Sequence, residues 1–122
     1  MRMNMRFNTA LLHTVTLGDE ATGATLTPVY QSSAFYQTSA EQHEKLFHNK
    51  ATGYSYTRIN NPTIAAFEER MTALENGIAS VACSSGMAAI TNALLNIVGA
   101  GNEILASTSL YGGSIDVFHD FE

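Results

Sequence analysis

Lysine, cysteine and proline are the scarce residues of this 122-residue sequence, which has two lysines, one cysteine, two prolines and no tryptophan. A single cysteine excludes an internal disulfide and any site built from several thiolates. The four histidines are scattered and show neither an HxH nor an HExxH spacing, so we expect no metal site. These absences favour a reducing, cytoplasmic setting.

Charge and long apolar runs are also limited. Charged residues make up 14% of the chain, against roughly a quarter in typical domains, and the net charge is −5. Because no basic stripe is present, we expect neither nucleic acid nor an anionic membrane surface as a partner. The longest apolar stretch, Met87–Gly101, is interrupted by Thr91, Asn92 and Asn96, so it is too polar to span a bilayer. The N-terminal residues lack the pattern of a secretory signal.

The first half of the chain shows no sustained hydrophobic period. The segment Val29–Tyr36 is predicted to be extended and partly buried, and Ser39 offers an N-cap to one short helix over Ala40–Phe47. So few periodic apolar positions cannot build a core. We therefore assign residues 1–60 to an extended N-terminal arm that lies over another surface, which its Tyr and Phe content favours over disorder.

The second half, residues 61–122, alternates between helical and strand patterns. Helices are predicted from the Asn61 cap to about Asn76, over Met87–Val98 and from Ile115 onward, and strands over Ile78–Cys83 and Glu103–Ser107. The first strand has no charged residue, as is typical of a strand buried on both faces. This order implies a right-handed parallel βαβ unit of an α/β fold.

The predicted sheet is incomplete, because two strands are fewer than the five or six of an average sheet. The third predicted helix also runs to the end of the chain. We therefore expect this sequence to be part of a larger protein, or to need another polypeptide in order to fold.

The turn Ser84-Ser85-Gly86-Met87 links the first predicted strand to a helix. Free backbone N–H groups at such a helix start bind anions, and the helix dipole and two neighbouring hydroxyls add to this. Small residues are equally what a tight turn requires, so the local pattern leaves both interpretations open. Cys83, which has no charged neighbour, is predicted to be a buried structural thiol rather than a nucleophile.

Two further motifs carry aromatic residues. In an extended segment Tyr56 and Arg58 lie on the same side, and a phenol beside a guanidinium suits phosphate oxygens; the alternative is a surface arginine near a half-buried tyrosine. Tyr111-Gly112-Gly113 follows the second predicted strand, at the sheet edge where ligands of α/β proteins bind. A half-buried loop tyrosine is an equally good interpretation of that motif alone.

Taken in order, three motifs closely resemble the trans-sulfuration (Cys/Met metabolism) family of enzymes that depend on pyridoxal 5′-phosphate (PLP). They are Tyr56-Thr57-Arg58-x-x-Asn61-Pro62-Thr63, Ser84-Ser85-Gly86-Met87-Ala88-Ala89-Ile90 and Ser109-Leu110-Tyr111-Gly112-Gly113. The resemblance spans nearly the whole chain. It implies the start of a fold-type-I PLP-dependent transferase large domain, a mostly parallel sheet with flanking helices, preceded by the N-terminal arm. Within the family, the Tyr-Thr-Arg form looks most like O-acetylhomoserine sulfhydrylases.

The resemblance also assigns roles to residues. The backbone N–H groups of Gly86 and Met87 bind the cofactor phosphate, although many O-acetylhomoserine sulfhydrylases have Gln in place of Met87. Tyr56 and Arg58 reach the phosphate held by a neighbouring subunit of a tetramer built of dimers. Tyr111 stacks on the pyridine ring and assists proton transfer. The cofactor-binding residues implied in this way are Tyr56, Arg58, Ser85, Gly86, Met87 and Tyr111.

The Schiff-base lysine of the family is expected in a polypeptide downstream of this chain. Lys45 and Lys50 precede the motifs, in a polar stretch that reads as solvated surface. The resemblance therefore implies an enzyme as the whole protein, with an amino acid as its substrate, and an inactive 122-residue chain.

Three functions remain open at this stage. The whole enzyme would join O-acetylhomoserine with sulfide or methanethiol by γ-replacement. It would alternatively be a methionine γ-lyase or a cystathionine γ-synthase of the same family. In the third case the chain is a non-catalytic fragment that binds only an anion or a partner chain.

Overall fold

The computed structural model describes residues 6–13 and 18–120. This part of the chain contains the helices α1 (Phe7–His13), α2 (Ala40–Phe47), α3 (Pro62–Leu74), α4 (Gly86–Ile97) and α5 (Gly112–His119). It divides into two compact units, with the boundary between Val81 and Ala82. The assignment of residues 1–60 to an arm and 61–122 to a cofactor-binding domain stays a prediction.

Side-chain caps define the starts of three helices. The Ser39 hydroxyl accepts a hydrogen bond from the Gln42 N–H at 3.2 Å and begins α2. Asn61 Oδ1 accepts from the Thr63 N–H at 2.8 Å and begins α3. Each cap satisfies an N–H group that has no partner within its helix. The predicted helix over residues 40–47 is confirmed, and the predicted helix after Asn61 is confirmed with its end at residue 74.

The helices at the two ends of the chain differ from the prediction. Helix α5 begins at Gly112, three residues before Ile115, and ends at His119, so the expectation that the chain stops inside it is wrong. Helix α1 was not predicted, because its seven residues are too few to show a period.

The two predicted strands do not form a sheet in this chain. Across residues 6–13 and 18–120 the β-pairing consists of two isolated antiparallel bridges, Asp19 with Ala24 and Ala34 with Tyr56. Neither Ile78–Cys83 nor Glu103–Ser107 is paired, so the prediction of a paired parallel βαβ unit within this chain is wrong. A strand requires a neighbour for its N–H and C=O groups, and consecutive strands of an α/β sheet are not always adjacent.

Burial differs from the prediction in the same segments. Ile78 and Leu105 are fully exposed, and no apolar side chain among the described residues is buried. Cys83, predicted to be buried, is half-buried. Only Asn61 and Ser114 have less than a tenth of their surface exposed in this part of the chain. The described residues therefore form helices and turns around polar contacts, without an apolar core.

Within each unit, two helices pack against each other near a candidate motif. In the first unit α1 packs against α3, whose start carries the motif that contains Arg58 and Asn61. In the second unit α4 packs against α5, so the helix starts at Gly86 and Gly112 belong to one packed pair. No helix of the described ranges is long and apolar enough to cross a membrane.

Candidate functional site

The start of α4 presents unpaired N–H groups. Ser85 has an extended backbone, and its hydroxyl accepts from the Ala88 N–H at 3.1 Å. The Ser85 C=O accepts from the Ala89 N–H, also at 3.1 Å. The N–H groups of Gly86 and Met87 precede these and have no acceptor among the described residues, as is usual for the first turn of a helix. Such N–H groups, together with the helix dipole, are suited to an anion.

The space beside Gly86 is open. A Cβ atom built on Gly86 would meet no other atom within 4 Å, so a ligand can approach the backbone closely there. The sequence motif placed a glycine at this turn, and the structure adds that Ser85, rather than Ser84, provides the cap.

Met87 and Tyr111 meet at the start of α5. A Cβ atom built on Gly113 would lie 2.8 Å from Tyr111 Cε1 and 3.2 Å from Met87 Sδ. Both side chains therefore lie against the same glycine. Tyr111 is 72% exposed, so its side chain is accessible to a ligand. The structure brings together the two sequence motifs that contain Met87 and Tyr111.

In the first unit, Tyr56 and Arg58 are in contact. The Arg58 guanidinium carbon lies 5.1 Å from the centroid of the Tyr56 ring, which is cation–π geometry. Both side chains are exposed, and no carboxylate in the described ranges pairs with Arg58. The backbone is not extended throughout, because the Ile59 N–H donates to the Tyr56 C=O at 2.9 Å and closes a turn. The unpaired guanidinium remains available for an anion.

A network of hydrogen bonds holds the segment that carries Tyr56 and Arg58. Asn61, which is 3% exposed, donates from Nδ2 to the Tyr30 C=O and to Thr57 Oγ1, each at 3.0 Å. Thr57 Oγ1 itself donates to the Ser32 C=O at 2.5 Å. Sequence reasoning included Thr57 and Asn61 in the motif but gave only Asn61 a task, as a helix cap. The signal in the sequence was that Thr57, a polar residue, lies between the candidate phosphate ligands Tyr56 and Arg58.

Each unit thus offers part of what a phosphorylated aromatic molecule requires. The second unit provides helix N–H groups for the phosphate and an exposed ring for stacking. The first provides the Arg58 guanidinium, which has no carboxylate partner in the described part of the chain. These features are suited to a phosphorylated aromatic molecule.

Comparison with known proteins identifies the family. The sequence profile of the Cys/Met metabolism PLP-dependent enzymes matches residues 8–122, and the chain belongs to this family. An O-acetyl-L-homoserine sulfhydrylase from Corynebacterium glutamicum is 45% identical over 112 residues, which are 92% of this chain and 26% of the relative. An L-methionine gamma-lyase from Treponema denticola is 47% identical over 90 residues, 74% of this chain and 22% of the relative.

A solved structure supports the fold. A protein described as an O-acetylhomoserine (thiol)-lyase from Campylobacter jejuni superposes with a TM-score of 0.84 at 28% identity, over 93% of this chain and 28% of that one. That protein contains an N′-pyridoxyl-lysine-5′-monophosphate at its position 205. The chain shares the fold of the corresponding part of fold-type-I PLP-dependent enzymes, as predicted. It spans about a quarter of the length of the relatives it matches.

The residues present fit PLP. Its phosphate is a dianion, for which the N–H groups of Gly86 and Met87 and the Arg58 guanidinium are suitable donors. Its flat pyridine ring suits the exposed Tyr111 ring. The open space beside Gly86 admits the close approach that such binding requires.

Proposed function

We propose that this chain is the N-terminal part of a PLP-dependent sulfhydrylase, which makes homocysteine or methionine from O-acetylhomoserine and sulfide or methanethiol by γ-replacement. The observation that carries the proposal is the start of α4, where two N–H groups have no acceptor among the described residues and where α4 packs against α5, the helix that Tyr111 precedes. The family and the 45% identical sulfhydrylase support the choice of reaction.

The chain's own residues bind and orient in this proposal. The N–H groups of Gly86 and Met87, with the Ser85 hydroxyl beside them, hold the phosphate at the start of α4. Tyr111 presents its ring to the pyridine ring and moves a proton at its hydroxyl oxygen during loss of the γ-substituent. When bound, PLP supplies the electron sink that stabilises carbanions of the substrate. The lysine that carries PLP covalently belongs to a polypeptide beyond this chain.

The first unit of one subunit contributes to the cofactor site of a neighbouring subunit. Tyr56 and Arg58 are proposed to reach the phosphate held by a neighbouring copy, in a cytoplasmic tetramer built of dimers. Arg58 is exposed and has no carboxylate partner among residues 6–13 and 18–120, which supports this arrangement. The exposed apolar residues of the same unit, among them Val29 and Tyr36, are consistent with an arm that requires a surface.

The proposal is tested in an exchange protein. We define this as the Corynebacterium glutamicum sulfhydrylase whose matched 112-residue segment is replaced by its counterpart from this chain. A full-length context is needed because the described residues bury no apolar side chain. We expect the exchange protein to bind PLP and to release acetate from O-acetylhomoserine in the presence of sulfide. A folded exchange protein that binds no PLP would favour a non-catalytic fragment.

Methionine γ-lyase is the second candidate, because a γ-lyase is 47% identical over 90 residues. The two reactions differ in their products. A sulfhydrylase releases acetate and forms homocysteine, whereas a γ-lyase releases α-ketobutyrate and ammonia from methionine. Measuring both sets of products with the complete protein from which this chain derives separates the two.

The space at Gly113 allows a test of the role of Tyr111. Replacement Gly113→Ala places a Cβ 2.8 Å from Tyr111 Cε1, and because the exposed ring can move, we expect it to be displaced. The turnover rate of the exchange protein should fall on the order of tenfold, since catalysis is sensitive to small displacements. The matched control is Gly112→Ala, whose Cβ meets nothing within 4 Å. Equal turnover of the two variants would show that the ring's position at Gly113 is unimportant.

A further inference from the structure

The hydrogen bonds of Thr57 lead to an inference about the residue between Tyr56 and Arg58. We propose that the Thr57 hydroxyl, together with Asn61, is a positioning group that holds Arg58 for phosphate binding. The inference rests on the proposed function of Arg58. Thr57 itself is not a ligand in this proposal, and it acts through the backbone that carries its neighbours.

Thr57 is fixed at several points. Its N–H donates to the Ser33 C=O at 2.9 Å, and its hydroxyl donates to the Ser32 C=O at 2.5 Å. The same hydroxyl accepts from Asn61 Nδ2 at 3.0 Å. A hydroxyl has one donor and two acceptor lone pairs, so a single atom here serves both functions. The segment that precedes Arg58 is thereby tied to the chain around residues 32 and 33.

Asn61 connects this point to a helix. Its Oδ1 caps α3 by accepting from the Thr63 N–H, and its Nδ2 also reaches the Tyr30 C=O. Because Asn61 is 3% exposed, its hydrogen bonds are shielded from competing water. Thr63 adds a parallel link, since its hydroxyl accepts from the Tyr30 N–H at 2.8 Å. The position of Thr57 is therefore set relative to the start of α3.

The ordering of Thr57 affects how much conformational entropy Arg58 loses when it binds a phosphate. An arginine on a mobile loop loses conformational freedom when it binds a phosphate, and preorganisation removes part of that cost. Arg58 already lies over the Tyr56 ring, on the residue directly after Thr57. Loss of the Thr57 hydroxyl should therefore weaken phosphate binding without removing any phosphate ligand. A serine keeps the hydroxyl and both of its hydrogen bonds.

The test compares Thr57→Val with Thr57→Ser in the exchange protein. Valine matches the shape of threonine without the hydroxyl. The cofactor-free protein is titrated with PLP and with pyridoxal, which lacks the phosphate. We expect Thr57→Val to weaken PLP binding about tenfold and pyridoxal binding less than twofold, and Thr57→Ser to behave as the parent. Hydrogen exchange in the cofactor-free protein should be faster at the residue 57 amide of Thr57→Val, which measures the loss of order directly.

The Arg58→Ala variant separates this inference from the proposed function. Parent-like PLP binding by Arg58→Ala would overturn the phosphate role of Arg58 and this inference with it. If Arg58→Ala weakens PLP binding but Thr57→Val does not, only the positioning role is overturned. Equal losses for Thr57→Val and Thr57→Ser, or equal losses for PLP and pyridoxal, would also overturn it. Should Thr57→Val fail to fold, the same comparison is made with Thr57→Ala, with the same expected results.

Discussion

Replacement Gly86→Pro is expected to weaken PLP binding by the exchange protein about 10- to 100-fold while α4 remains folded. Proline removes the N–H of residue 86, and a hydrogen bond to a charged group contributes about 1.5–3 kcal/mol. We expect α4 to form in this variant, because Gly86 is its first residue and proline is favoured at the first position of a helix. Ser85 has φ −156° and ψ 161°, which is the extended conformation that a following proline requires.

The matched control is Gly86→Ala, which keeps the N–H group. Its Cβ meets nothing within 4 Å, so the protein itself accommodates it. Equilibrium titration of the cofactor-free proteins gives the PLP affinity, and circular dichroism reports the helix content. The anion-binding role of the Gly86 N–H would be wrong if the proline variant kept its helix content and bound PLP as tightly as the alanine variant.

Asn61→Ala is expected to lower the free energy of unfolding of the exchange protein by about 2–4 kcal/mol. The substitution removes the α3 cap, which typically contributes about 1 kcal/mol. It also removes the two hydrogen bonds from Asn61 Nδ2, to the Tyr30 C=O and to the Thr57 hydroxyl, and a hydrogen bond contributes about 0.5–1.5 kcal/mol. Urea denaturation of the parent and the variant measures the difference.

The adjacent Asn60 provides a control with the same side chain. Its Nδ2 donates to the Gly53 C=O at 2.9 Å, whereas its Oδ1 is buried without a hydrogen-bond partner. Asn60→Ala therefore loses one hydrogen bond and also removes an unsatisfied atom, so we expect a cost of about 1 kcal/mol or less. Similar losses for the two variants would contradict the central place of Asn61 in the network. Asn61→Ser retains a capping oxygen, so its loss of unfolding free energy should lie between those of Asn61→Ala and Asn60→Ala.

Local chemistry in the sequence was sufficient to predict several local features of the candidate site. Ser39 and Asn61 could be predicted as caps because their side chains bond to N–H groups only two or three residues away. The unpaired N–H groups at the start of α4 follow from the same kind of local rule, and their binding of an anion stays a prediction. The contact between Tyr56 and Arg58 was predicted from their spacing, although the backbone turns there instead of staying extended.

Features that depend on distant partners could not be predicted in the same way. The apolar residues of Ile78–Cys83 and Glu103–Ser107 indicate burial, but burial requires neighbouring strands, and Leu105 is fully exposed here. The links between Asn61 and Tyr30 join residues 31 positions apart, which no local pattern shows. The contact of Met87 with the start of α5 likewise depends on how two helices pack.

The central claim is that this chain provides the phosphate-binding half of a PLP site, with Gly86 and Arg58 as its donors. The most direct test is the preference of the exchange protein for PLP over pyridoxal, measured for the parent and for the double variant Gly86→Pro/Arg58→Ala. We predict that the preference falls by at least about 100-fold, because the variant removes two donors to the phosphate and a hydrogen bond to a charged group contributes about 1.5–3 kcal/mol. A folded double variant with the parent's preference would contradict the claim.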